Sequence, residues 1–171
     1  MIVGLSIANF TVLHVAITLI AIASGIVVMF GMLGAKRLPG WTALFLLTTI
    51  LTSVTGFMFP IHGFTPALGV GAVSIVILLV ALIALYAKHL IGAWRWIYVV
   101  TALAALYLNV FVLIVQSFEK LSILNPSAPV IGQPFAEPQN THFAIAQGVA
   151  LLAIVVVGIL AAIRFRPAGP A

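Results

Sequence analysis

Five long apolar stretches, nearly free of charge, dominate this sequence: 6–34, 42–59, 67–87, 94–118 and 142–163. Each approaches or exceeds the ~20 residues that cross roughly 30 Å of hydrocarbon. Inside hydrocarbon a backbone finds no water to bond, so such a stretch closes its own hydrogen bonds as a helix. Unbroken apolar runs such as 73–85 exclude the alternating strands of a membrane barrel. The expected fold is therefore all-α: one domain over 1–171, an integral membrane bundle of five transmembrane helices. The first stretch lacks a basic leader and is too long for a signal-peptide core, so it reads as a retained helix that tilts or protrudes.

Composition narrows the chemistry. Only 5% of the 171 residues are charged and 64% are hydrophobic, whereas a water-soluble domain carries about 25% charged residues. Cysteine is absent, which removes disulfides, thiolate nucleophiles and iron–sulfur ligation. There is no Asp, and Glu119 and Glu137 are the only acidic side chains. A Ser-His-Asp triad is thus unavailable, a carboxylate pair within the membrane is missing, and no lysine-bearing phosphate loop occurs. The chain reads as something other than an enzyme. Its net charge of +5 is scattered in ones and twos, which is not the clustered basic face that nucleic acid requires.

The scattered charges set an orientation instead. With five crossings, Lys36, Arg37, Lys88, Arg95, Arg164 and Arg166 fall on one side, and Lys120 stands on the other with both glutamates. The positive-inside bias makes the first side cytoplasmic, so the N-terminus is expected outside and the C-terminus in the cytoplasm. Trp41, Trp94 and Trp96 fall at that same inner boundary, where indole rings prefer to sit. The outer connections are a tight turn at 60–66, PIHGFTP, and a longer loop at 119–140 containing Pro126, Pro129, Pro134 and Pro138. That much proline favours an extended strap, with Asn140 or Thr141 as the N-cap of the fifth helix.

Small and polar residues mark faces where helices meet. Helix one carries Thr11, His14, Thr18, Ala21 and Gly25 at spacings of three and four. Helix four carries Ala102, Ala105, Asn109, Val112 and Gln116 in the same register. Helix two offers Thr48, Thr52 and Thr55, beside Thr49, Ser53 and Gly56, and helix five His142, Ala146, Ala150 and Ala153. Counting from the helix ends gathers His14, Asn109, Gln116 and His142 in the outer leaflet, near His62 and Gln147. These are the candidate cofactor-binding residues, since an ionisable group inside a span is a functional candidate by default.

A neutral imidazole ligates a metal or haem, or hydrogen-bonds a quinone-like carbonyl. Haem b would take His14 and His142, beside Gly25, Gly56 and Ala146. Met58 with His62 suits a metal ion such as Cu(I). The plainer alternative gives His14 one hydrogen bond to Asn109 or a backbone carbonyl. His89, on the basic side, reads as a solvated loop residue or a headgroup contact.

Two stretches, TGFMFPIHGFTPA at 55–67 and LNVFVLIVQSFEK at 108–120, resemble segments of small bacterial polytopic inner-membrane proteins with no assigned activity. The resemblance implies a multi-pass protein of the bacterial cytoplasmic (inner) membrane, and groups His62, Asn109 and Gln116 in one recurring pattern. Two functional classes follow. One is a membrane-embedded protein whose polar outer-leaflet pocket binds haem, a divalent metal or a quinone-like molecule. The other is a structural or accessory subunit, packed against a membrane-protein partner or in a homo-oligomer within the lipid bilayer. A small-solute transporter ranks third, because coupling groups at mid-depth are sparse.

Overall fold

The computed structural model describes residues 1–60, 66–120 and 141–166. Among these the chain is helical throughout, with one isolated bridge between Ile2 and Leu5 and no strand. The helices are α1 (Ile7–Leu33), α2 (Pro39–Phe57), α3 (Pro66–Leu82), α4 (Trp94–Lys120) and α5 (Thr141–Arg164). Five helices are long and apolar enough to cross a membrane, as in a multi-pass membrane protein.

Helix boundaries differ from the sequence expectation for local reasons. Ser6 lies outside α1 as its N-cap, accepting from the Asn9 amide at 3.2 Å, which satisfies one orphan donor of the first turn. Helix α2 starts at Pro39, earlier than expected, because proline at the first position loses an N–H that would be unpaired anyway. Helix α4 runs on through Glu119 and Lys120, so the expected strap loses its first two residues to the helix. The rest of it, with Glu137 and Asn140, lies outside the described residues, as do most of the 60–66 turn and His62. Thr141 is the first residue of α5 rather than its cap.

Two features shape the basic end. Helix α1 closes with Lys36 N–H on Gly31 O (2.8 Å) and Ala35 N–H on Met32 O (3.1 Å), the two bonds of a Schellman cap. The left-handed residue that this cap needs is Ala35, at φ 54°, where glycine is usual. Helix α3 passes into a π turn, Ile83–Ala87. Lys88 N–H bonds Ile83 O and Leu90 N–H bonds Ala84 O, and His89 and Leu90 are both left-handed, at φ 48° and 60°.

Consecutive helices pack side by side, and α1 touches α4 and α5 as well, which closes the bundle. Small residues let the backbones approach: Ala81 of α3, Ala84 of the π turn, and Ala102 and Ala105 of α4 are buried in one core with Leu78, Val99 and Leu106. Gly25 is the tightest junction. A Cβ there would lie 2.8 Å from Leu106 Cδ1 and 2.8 Å from the Phe45 ring, so α1, α2 and α4 meet where there is no room for a side chain. Helix α5 is more peripheral, with Ala161 its one fully buried side chain. Aromatic pairs staple it to α4 at both ends, Tyr98 with Phe165 and Phe118 with Phe143. The face α5 presents runs through Phe143, Gln147, Ile154 and Ala161. Of the stripe assigned on spacing, Ala146 and Ala150 are half-buried on this face, whereas His142 and Ala153 are exposed because the face leans toward Phe143 and Ile154.

Gly25→Val should destabilise the bundle by about 1–3 kcal/mol, the usual penalty of overpacking. Gly148, with nothing near its Cβ position, should accept valine with little change. Unfolding of both variants in a mild detergent compares the two directly.

Candidate functional site

The sequence-predicted site residues are distributed over three separate contacts. Half-buried His14 projects from α1 toward α2, where its Nδ1 lies 2.7 Å from Thr55 Oγ1. The imidazole packs edge-on against Phe59, centroids 5.4 Å apart, and Phe10 one turn earlier packs on the same ring. A Cβ at Gly56 would stand 3.8 Å from His14 Cε1, an ordinary van der Waals contact, so the approach does not depend on the glycine. One turn on, Thr18 lies 3.3 Å from Thr52. The result is a polar seam between α1 and α2.

Thr55 Oγ1 also lies 2.7 Å from Leu51 O and 3.2 Å from Thr52 O, so the hydroxyl serves its own helix and the imidazole together.

Asn109 is on another face and at another depth. It is buried, and its Nδ2 donates to Thr49 Oγ1 at 3.1 Å. Thr49 and Thr55 are six positions apart on α2, about 9 Å along the axis. The expected coincidence of His14 and Asn109 at one level is therefore replaced by two clasps at successive levels. Gln116 donates to Glu119 Oε2 at 3.3 Å on its own helix. His142 is exposed at the start of α5.

Gln147 reaches from α5 to Phe111 O at 3.2 Å, and its Oε1 is buried without a hydrogen-bond partner, as is Ser74 Oγ. Met58 follows α2 and is exposed, while its proposed co-ligand His62 lies outside the described residues. Among the described residues, no three His, Asp or Glu side chains gather closely enough to hold a metal ion.

Sequence reasoning missed the other end of the molecule. A cavity of about 250 Å³ opens there, lined by residues that include Lys36, Arg37, Thr42, His89 and Tyr98. Its only signal in the sequence was that these cations share a side. Arg95, nearby, donates to Ala162 O and Phe165 O, supplying the last turn of α5 with donors for carbonyls that the helix leaves unpaired. In comparison with known proteins, no family model, curated protein or solved structure matches the chain.

In a double-mutant cycle, Asn109→Ala with Thr49→Ala should show a coupling of about 0.6 kcal/mol, typical of hydrogen bonds between membrane helices. His14→Ala with Asn109→Ala should be additive within about 0.5 kcal/mol, as for sites without shared partners. Stability measured by denaturant in detergent reports both.

Proposed function

We propose that the protein is a structural or accessory component of the bacterial inner membrane, N-terminus outside and C-terminus in the cytoplasm. One observation carries this reading: the polar groups expected to form an open site, His14 and Asn109, are each joined to a threonine of α2. Their chemistry is that of helix–helix clasps. Outward-facing Ile145, Val149, Leu152 and Val156 on peripheral α5 supply an apolar flank for a membrane-protein partner or a second copy. The six cations at one end, with Trp41, Trp94 and Trp96, support the orientation.

A second reading is favoured by the orphaned Gln147 Oε1. It makes the end of the bundle that bears His14 a binding place for haem b, a divalent metal or a quinone-like molecule, with His14, Gln116 and His142 around it.

Purified protein is expected to be colourless and to keep its stability in His14→Leu within about 1 kcal/mol, a neutral balance between a lost bond and gained packing. A Soret band or stoichiometric metal lost in His14→Ala would establish the second reading instead. Photo-crosslinkers at Val149 and Leu152 should capture protein rather than lipid. Because the chain has no cysteine, Val3→Cys and Ala93→Cys give clean topology probes. An impermeant thiol reagent should reach the first in intact cells and the second only after permeabilisation.

A further inference from the structure

The cavity at the basic end is independent of the clasps and has a chemistry of its own. Its rim carries the exposed side chains of Lys36, Arg37 and His89. Its floor is buried and mixed, with Thr42 and Tyr98 as the hydroxyl-bearing residues and Met32 and Phe165 as apolar ones. A cationic rim over a floor that is largely apolar suits an amphiphile with an anionic head.

Charge placed only to orient the protein has no reason to converge on a cavity, and the other cations at this end do not. Lys88 lies over the Trp94 ring, 5.5 Å from its centroid. Arg95 caps α5, and Arg164 and Arg166 are exposed away from the cavity lining. Among the described residues the rim cations have no carboxylate partner. Arg37 makes one long hydrogen bond, 3.4 Å to His89 O, and the carboxylate of Glu119, the one acidic side chain among the described residues, is roughly 30 Å from Tyr98 along α4. The two loops that carry the rim are tied back to their helices by Lys36 N–H on Gly31 O, Lys88 N–H on Ile83 O and Leu90 N–H on Ala84 O.

Size decides how much of an amphiphile enters. At about 250 Å³ the cavity lies below the range of roughly 300–1,000 Å³ that encloses a drug-sized ligand. It accommodates a headgroup, with the acyl chains left in the bilayer. We propose that this cavity binds the headgroup of an anionic phospholipid from the adjoining leaflet, the phosphate held by Lys36, Arg37 and His89 and the glycerol region by Thr42 and Tyr98. Basic pockets between membrane helices recognise phospholipid headgroups by this chemistry.

Native mass spectrometry of the full chain in detergent, titrated with phosphatidylglycerol or phosphatidylcholine, tests the assignment. Phosphatidylglycerol should bind in preference, and Lys36→Gln with Arg37→Gln should weaken it about 25-fold, near fivefold for each cation. Both side chains are exposed, so the variant should retain its helical circular dichroism. Arg164→Gln with Arg166→Gln removes the same charge outside the cavity and should change affinity less than about twofold, since the surface term is screened within a Debye length. Equal losses in the two double variants would reduce the effect to general surface attraction and overturn the site. Absence of a preference for phosphatidylglycerol would overturn it too. Displacement of the lipid by millimolar inorganic phosphate or glycerol 3-phosphate would identify a soluble-anion site and defeat the lipid assignment.

Discussion

The structure depends on one constraint: with an apolar exterior, each polar side chain in the helices has to find its partner inside the bundle. Most do so on their own helix. Thr11, Thr18, Ser24, Thr48, Ser53, Thr55, Thr101 and Ser117 each return a hydroxyl proton to the carbonyl four residues earlier, which keeps a hydroxyl satisfied without a neighbour. Imidazole and carboxamide groups have more to satisfy than one such bond provides. His14, Asn109 and Gln147 consequently reach across to α2 or α4. Helix α2 receives two of the three because it is the helix richest in threonine, and a hydroxyl that donates to its own helix still offers lone pairs to another.

The two ends of the bundle divide the remaining chemistry. Six of the seven Lys and Arg side chains belong to the end where α1, α3 and α5 finish. There they split again, into Lys88 and Arg95, engaged with an aromatic ring and helix carbonyls, and Lys36 and Arg37, turned to a cavity. The split matters because a positive-inside bias specifies which side a cation occupies and nothing about its neighbours.

Helix existence and type were legible in the sequence because length and hydropathy alone decide them. The site was not, for a reason of phase. Counting residues from a helix end gives a nominal depth at about 1.5 Å per residue, and that count puts His14 and Asn109 at one level, whereas their threonine partners stand about 9 Å apart along α2. Which face each presents depends on how α1 and α4 rotate against α2, and six positions on α2 turn through about 600°, leaving Thr49 and Thr55 on different sides. The threonines themselves were visible as a stripe, but their separate partners were not. The basic cavity was hidden by residue identity. Left-handed positions usually announce themselves as glycine, whereas here Ala35, His89 and Leu90 adopt them. The π turn adds an offset that no apolar pattern marks, because 83–87 continues the hydrophobic run of α3 without a break.

Helix α2 connects the two ends mechanically. Thr42 faces the cavity, Thr49 holds Asn109 and Thr55 holds His14, three levels spanning about 20 Å of one rigid element. Between the first two, Phe45 is seated against Gly25 with no space for an added Cβ. Rotation of α2 sufficient to release Thr55 from His14 would drive the Phe45 ring out of that notch and into Leu106 or the α1 backbone. Close-packed interiors resist such displacement. The glycine notch therefore keeps the histidine clasp and the cavity floor in a fixed relation.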